Sequence, residues 1–366
     1  MNVESSQDAP LHIPVMTEEV ISLLEIIPEG IYVDGTVGLG GHATQIISRL
    51  SSKGQLVGID LDEDALQYCE DRLTASSCPF KLIHNSYDQI LRILSKLEIS
   101  KVNGILLDLG ISSLQLNSED RGFSFSRPAP LDMRFDRTNR RTAADVLNKL
   151  SEPELSDVFY TYGEERRSRS IAKKISQVRP LFTVSDLVEA VRSCTPPNFR
   201  HRTLARVFQA LRIVVNKELE KLEIFLNHFI EALAIGGKVV IISFHSLEDR
   251  LVKQHFRQMK ENGRIRILTK KPLQPKENER KLNEYQEKLA ASEKRIQELN
   301  ARFANWCFII DEKVYNQIHL SQTDVIKEKE DSDLGNFRDL DPQNPNPPGT
   351  PPPGGNPLLP NLPPQP

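Results

Sequence analysis

Short apolar runs and amphipathic stretches alternate along the first third of the chain. "IYVDG" (31–35), "GQLVGIDLD" (54–62), "FKLIHNS" (80–86) and "VNGILLDLG" (102–110) are apolar runs without a clean period of two. That pattern predicts strands buried on both faces of a parallel sheet. Between them, "HATQIISRL" (42–50) and "EDALQYCEDRL" (63–73) repeat apolar residues at helical spacing. A β-α-β-α rhythm of this kind specifies an open, doubly wound α/β domain.

The rhythm stops after "DLGISSLQL". "AADVLNKL", "ELSDVFYTYG", "SRSIAKKISQV" and "VSDLVEAVRS" all carry helical periodicity, so residues 119–202 read as a helical insertion. The α/β pattern returns with one long helix, "TLARVFQALRIVVNKELEKLEIFLNHFIEAL", ended by Gly236 and Gly237. "KVVIISF" is then strand five, "SLEDRLVKQHFRQM" a helix, and "RIRILTK" a further strand. "FANWCFII" reads as a final edge strand.

The remaining segments are set by composition. Residues 1–10 are polar and read as disordered. Residues 276–303 form a charged amphipathic helix with Leu282, Tyr285, Leu289, Ser292, Ile296, Leu299 and Phe303 at heptad spacing, which fits folding back on its own domain or a coiled-coil partner. A homodimer is compatible with the sequence. Half of the 24 prolines fall in the last 25 residues, and 331–366 read as a disordered or polyproline tail.

Charge and cysteine count narrow the class. A net charge of −3 over 366 residues is not that of a bulk nucleic-acid binder. It is unevenly spread, however, because residues 119–212 hold 18 Lys/Arg against 12 Asp/Glu. Cys69, Cys78, Cys194 and Cys307 show no metal spacing or disulfide framework, which points to a reducing, cytoplasmic setting. The first ten residues lack the features of a signal peptide, and no apolar run is long enough for a membrane span.

The chemistry concentrates at the strand ends. "GLGGHA" (38–43) matches G-x-G-x-x-A, a turn that lets a ligand approach backbone N–H groups at a helix start. Asp60 follows Gly40 by 20 residues, the spacing at which an acid meets a ribose diol. Both features suit NAD as well as other adenosine cofactors. Asp34 and Asp108 discriminate, because a parallel sheet gathers Asp34, Asp60 and Asp108 at one carboxyl edge. Such a ring of acids repels a pyrophosphate and favours a sulfonium and an ammonium, as in S-adenosylmethionine. A P-loop is excluded because no G-K-[ST] follows the glycines. The eight histidines form no metal-binding cluster in sequence, so no metal is expected.

"HIPVM" (12–16), "DGTVGLGGH" (34–42), "GIDLDEDAL" (58–66), "ILLDLGISSLQL" (105–116), "RGFSF" (121–125), "PLDMRFD" (130–136), "TYGEER" (161–166), "FQALRIVVN" (208–216) and "ISFHSLEDR" (242–250) together resemble the MraW/RsmH family. The resemblance runs from about residue 11 to 272. It implies a class I (Rossmann-like) methyltransferase domain of residues 11–118 and 203–315, interrupted by a helical substrate-recognition domain at 119–202. The implied activity is S-adenosylmethionine-dependent methylation of N4 of a cytidine in bacterial small-subunit ribosomal RNA, with that RNA or the small subunit as partner. It assigns the cofactor to Gly40, Gly41, His42, Asp60, Tyr87, Asp108 and Gln115. One stretch departs from the family: "NARFANWCF" stands where relatives carry a basic, serine-rich "NPRSRS"-like segment.

Three functions are thus carried forward: this RNA methyltransferase, a methyltransferase of another RNA or a small molecule, and a nicotinamide-dependent oxidoreductase. The exocyclic amine of cytosine is a poor nucleophile and must be oriented toward the methyl group. Many amino-methyltransferases use a D/N-P-P-Y loop after strand four, whereas this chain has "DLGISS". Ser243 and His245 of "SFHSLEDR", after strand five on the same sheet edge, are the candidate catalytic groups, with His12 a further candidate. No G-x-S-x-G elbow supports a hydrolase triad. The insertion supplies Arg166, Arg167, Arg169, Lys173 and Lys174, and a second basic run "NFRHRTLAR" (198–206), for RNA phosphates. Phe123 and Phe125 of "RGFSFSRP" are candidates for base stacking or for core packing.

Overall fold

The computed structural model describes residues 14–269 and 272–273. The first element is helix α1 (Thr17–Leu24). It is followed by β1 (Ile31–Asp34), α2 (Gly41–Ile47), β2 (Gln55–Asp60), α3 (Glu63–Leu73) and β3 (Phe80–His84). A short 3-10 turn at Tyr87–Gln89 leads into α4 (Ile90–Lys96), β4 (Val102–Asp108) and α5 (Ser113–Asn117). The helical insertion contributes α6 (Ala143–Lys149), α7 (Glu152–Thr161), α8 (Ser168–Val178) and α9 (Val184–Ser193). The chain closes with α10 (Arg200–Asn216), α11 (Glu218–Ala232), β5 (Leu233–Ile242) and α12 (Ser246–Glu261).

All strands among the described residues are parallel, in the order β3-β2-β1-β4-β5. This is the Rossmann-like arrangement of a class I methyltransferase. Its strand order reverses between β1 and β4, which opens a crevice at the carboxyl ends. Alternate side chains of each strand enter different cores. Tyr32, Leu56 and Leu106 pack with α1, α2 and α3 on one face. Val33, Val57, Ile59, Ile105 and Leu107 pack with α4, α11 and α12 on the other. Both faces are therefore dry, which is why the strands read as unbroken apolar runs.

The insertion has its own apolar core around Leu147, Phe159, Ile171, Ile175, Leu187 and Val191. Three of its helices open on a capping box that the sequence spells out: Thr142 with Asp145, Ser151 with Glu154, and Thr183 with Asp186. The expected division at residue 203 falls inside α10. Leu204, Val207, Phe208 and Leu211 of that helix belong to the insertion core, which extends to Val215.

Three other expectations differ from the structure. The single long helix is two helices, broken at Lys217 in the left-handed conformation (φ 54°). The buried Asn216 side chain makes the break: its Nδ2 donates to Met133 O (2.7 Å) and its Oδ1 accepts from Phe135 N–H (2.7 Å). Arg212 and Glu218 span it with two hydrogen bonds of 2.9 Å. Strand β5 begins at Leu233 rather than after the glycines. Gly236 (φ 80°) and Gly237 lie within it at an irregularity where its register against Val102 and Gly104 shifts. "RIRILTK" forms no strand over 264–269, although Ile265 packs on the sheet core. The expected N-terminal disorder, His12, the helix at 276–303, "FANWCFII" and the tail lie outside the described residues. Among the described residues no helix is long and apolar enough to cross a membrane.

Candidate active site

The site is a cavity of about 240 Å³ at the β1/β4 switch point. The turn after β1 forms one wall. Gly35 sits where a Cβ would lie 2.4 Å from Leu107 Cδ2, and Gly38 (φ 48°) directs its N–H to Asp60 Oδ2 at 2.7 Å. Asp60 Oδ1 accepts from Asp62 N–H at 3.0 Å. Burial pushes the Asp60 carboxyl up to about 6, against the pull of those two backbone donors.

Asp34 is 1% exposed. Burial drives it up to about 7, with His42 pulling it back and Asp108 and Asp60 adding to the rise. His42, on the first turn of α2, is also buried, and its Nε2 lies 3.6 Å from Asp108 Oδ2. Neither His42 ring nitrogen has a hydrogen-bond partner, nor does Asp108 Oδ1, although all three atoms are buried. Buried polar atoms left unpaired are ones that water or a ligand can satisfy.

Tyr87 lines the cavity from the 3-10 turn after β3, its ring edge-on to Phe225 at 5.8 Å. Burial and the nearby Glu218 and Glu248 hold its hydroxyl well above the usual tyrosine range, so it stays protonated. Gln115, 4% exposed, shares a capping box with Ser112 at the start of α5. Its Nε2 donates to Asp62 Oδ2 at 2.9 Å, as does Arg121 Nη2. Arg121 Nη2 also donates to Arg134 O and Phe135 O. This buried knot joins the α3 N-terminus to the insertion loop whose Phe135 lines the cavity.

The remaining wall comes from Glu218, Leu222, Phe244 and Glu248. Glu218, His245 and Glu248 bring ligand-type atoms within 4.8 Å of one another. Both Glu218 oxygens are engaged by Arg212, however, and Glu248 Oε2 accepts from Phe244 N–H at 2.9 Å. These carboxylates are already engaged by a guanidinium and a backbone N–H, which a bound cation would have to displace.

A model of the MraW methylase family matches residues 9–298. The chain belongs to the MraW methylase family. It is 49% identical over 274 residues to ribosomal RNA small subunit methyltransferase H of Thermotoga neapolitana, covering 73% of this chain and 90% of that one. It is 42% identical over 304 residues to the protein of the same name from Caldicellulosiruptor saccharolyticus, covering 77% and 99%. It is 45% identical over 278 residues to that from Trichodesmium erythraeum, covering 74% and 94%.

Gly41, His42, Asp60, Tyr87, Asp108 and Gln115 all line one cavity. Gly40 does not. A Cβ there would lie 2.9 Å from Cys69 Sγ, and φ is 78°, so this glycine serves the packing of the turn on α3. Ser243 and His245 do not line the cavity either; Phe244 and Glu248 of the same motif do. His245 instead caps α12, its Nδ1 accepting from Glu248 N–H at 3.4 Å and its Nε2 lying 3.2 Å from Glu248 Oε1. Asp62, Arg121, Glu218 and Glu248 are the polar groups that residue-type reasoning passed over. The signal for Asp62 was its N-cap position before "EDAL".

On the insertion, Arg166, Arg169 and Lys173 are exposed, while Arg167 and Lys174 are half-buried. Of the acids nearest in sequence, Glu164 is engaged by Ser246 and Arg250, and Glu165 pairs with Arg206 and accepts from the Arg167 backbone N–H. Among the described residues none of the five cations pairs with a carboxylate. The Arg167 guanidinium lies over the Phe199 ring, 5.1 Å from its centroid. Phe123 stacks on Phe135 and Phe125 packs edge-on to His201 and Phe208, so both serve mainly in packing. Phe125 also lines a second, open groove of about 610 Å³ with Arg127, Arg192 and Arg200.

Proposed function

We propose that this chain transfers a methyl group from S-adenosylmethionine to N4 of a cytidine in small-subunit ribosomal RNA, in the cytoplasm, acting on the RNA or the small ribosomal subunit. The observation that carries the reading is the acid-lined crevice with unpartnered buried atoms, in a family member whose relatives are named for that RNA. Its donor set suits a cofactor bearing positive charge. Asp60 is the acceptor for ribose hydroxyls, Tyr87 a ring for adenine, and Asp108 with Gly41 and His42 the holders of the ammonium end. When bound, the cofactor supplies an electrophilic methyl group on sulfur.

The chain's own residues provide orientation and a dry wall. The cytosine amine donates its lone pair into the ring, so in-line positioning contributes most, up to ~7–11 kcal/mol in favourable systems. Asp108 Oδ1, buried and unpartnered, is an acceptor in the wall for an N–H of the amine or of the cofactor. The unpaired cations of α8 and the arginines of the second groove suit RNA phosphates.

The test is mass mapping of modified nucleosides in small-subunit RNA from cells with and without the gene. The expected result is loss of one N4-methylated cytidine, restored by the gene. An unchanged RNA refutes the substrate. Thermal-shift titration checks the cofactor separately: S-adenosylhomocysteine raises the melting temperature and NADH does not.

A further inference from the structure

We infer that Phe244 is the aromatic face on which the target base rests, and that Glu248 and His245 are positioning residues that hold it there; the inference rests on the function proposed above. An enzyme that alkylates a base edge must take the base out of its stack, and the lost stacking has to be replaced by another flat ring. Among the described residues, three phenylalanine or tyrosine rings line the cavity. Tyr87 is engaged by Phe225 and Phe135 by Phe123. Phe244 has no ring partner among the described residues and is 56% exposed.

The backbone makes room for that ring and fixes its height. Phe244 comes two residues after the end of β5, and Ile242 O accepts from Leu109 N–H, so Phe244 sits on the sheet edge that carries Asp108. Beneath it is Gly110, at φ 109°, where a Cβ would lie 3.3 Å from Phe244 Cδ2. The loop Leu109–Ser112 offers no aromatic residue of its own.

A single exposed phenylalanine on a loop would lose its orientation without support. Glu248 supplies it from the first turn of α12, with its side chain almost wholly buried. Its Oε2 accepts from Phe244 N–H, and its Oε1 faces His245 Nε2. The "SFHSLE" turn is thus closed on itself by one carboxylate. This accounts for the pairing of His245 with Glu248 in this turn.

The experiment measures methyl transfer to small ribosomal subunits isolated from cells lacking the gene, with N4-methylcytidine counted by mass spectrometry. Phe244→Ala should lower kcat/KM for the subunit about 5- to 150-fold, equivalent to ~1–3 kcal/mol of stacking. Phe244→Tyr and Phe244→Trp should restore most of it, while Phe244→Leu, apolar but not planar, should behave as alanine does. Glu248→Gln keeps an acceptor for Phe244 N–H but loses the one facing His245 Nε2, so it should fall between wild type and Glu248→Ala, which should show the Phe244→Ala defect. Binding of S-adenosylhomocysteine should change less than about twofold in the Phe244 variants. Full activity of Phe244→Ala or Phe244→Leu overturns the inference and leaves the methyltransferase reading intact. A loss of cofactor affinity that matches the loss of activity overturns it too, by moving the ring to the cofactor. Wild-type protein that methylates no subunit RNA overturns the functional reading, and this inference with it.

Discussion

The Asp62–Arg121 pair makes the sharpest test of how the cavity is held. Both side chains are 3% exposed, and their contact is 2.9 Å. Arg121→Met keeps most of the volume but leaves the Asp62 carboxylate with only Gln115 Nε2 and Asp64 N–H as donors. It also removes the donor to Arg134 O and Phe135 O. Leaving one member of a buried ion pair uncompensated costs about 3–5 kcal/mol. In a domain of this size each kcal/mol lowers the melting temperature by ~2–4 °C, so the expected fall is about 6–20 °C. Urea unfolding followed by circular dichroism measures it directly. The double variant Asp62→Leu/Arg121→Met removes both charges and should lose at least ~2 kcal/mol less than the sum of the single losses. Strict additivity, or a loss below ~1 kcal/mol for Arg121→Met, would refute the view that this pair pins the insertion loop to α3.

Two further outcomes are expected. Asp34 and Asp60 are raised in the fold to about 7 and about 6, above an unfolded carboxyl near 4. The folded protein therefore holds extra protons, and the stability they contribute is lost as pH rises from about 4 to 7. S-adenosylmethionine, which favours the ionised acids, should bind more tightly across the same rise and release protons as it does so. Calorimetry in buffers of different ionisation enthalpy reads both effects, and a pH-independent affinity contradicts the assignment. Replacing Arg167, Arg169 and Lys173 together by alanine should flatten the salt dependence of RNA binding by about 0.7–0.9 in log–log slope per lost phosphate contact, with little change in melting temperature. A destabilised protein with an unaltered slope would show intradomain pairing instead.

Strands, their order of use and the acids at their ends were legible because a parallel sheet with two dry faces leaves an unambiguous trace: apolar runs that stop at Asp34, Asp60 and Asp108. The break at Lys217 was not legible. "LRIVVNKELEKLEIF" keeps helical spacing and has no proline or glycine. The break depends on Asn216 reaching Met133 and Phe135, some eighty positions earlier. "RIRILTK" alternates as a strand does, but alternation alone does not provide a neighbour to pair with. In "SFHSLEDR" the residue types drew attention to the serine and histidine. The Glu248 carboxylate closes the turn, and Phe244, not Ser243 or His245, lines the cavity. The glycine spacing was legible at Gly40, while its reason, the Cys69 sulfur, lies on another helix.

The break after Asn216 also bears on how the protein is made. The cavity wall is drawn from residues 14–135, the last of them on the insertion loop, and again from 218–248. Closing so long a connection adds little at equilibrium, since each doubling of length costs only ~0.6 kcal/mol. During synthesis, though, the order is fixed. The strands up to β4 leave the ribosome first, the insertion cannot fill its core until α10 emerges, and β5 with its turn arrives after that. A nascent chain cut short before residue 218 therefore carries the glycine turn and all three acids yet lacks Glu218, Phe244 and Glu248, so the cavity wall is complete only once residue 248 has emerged.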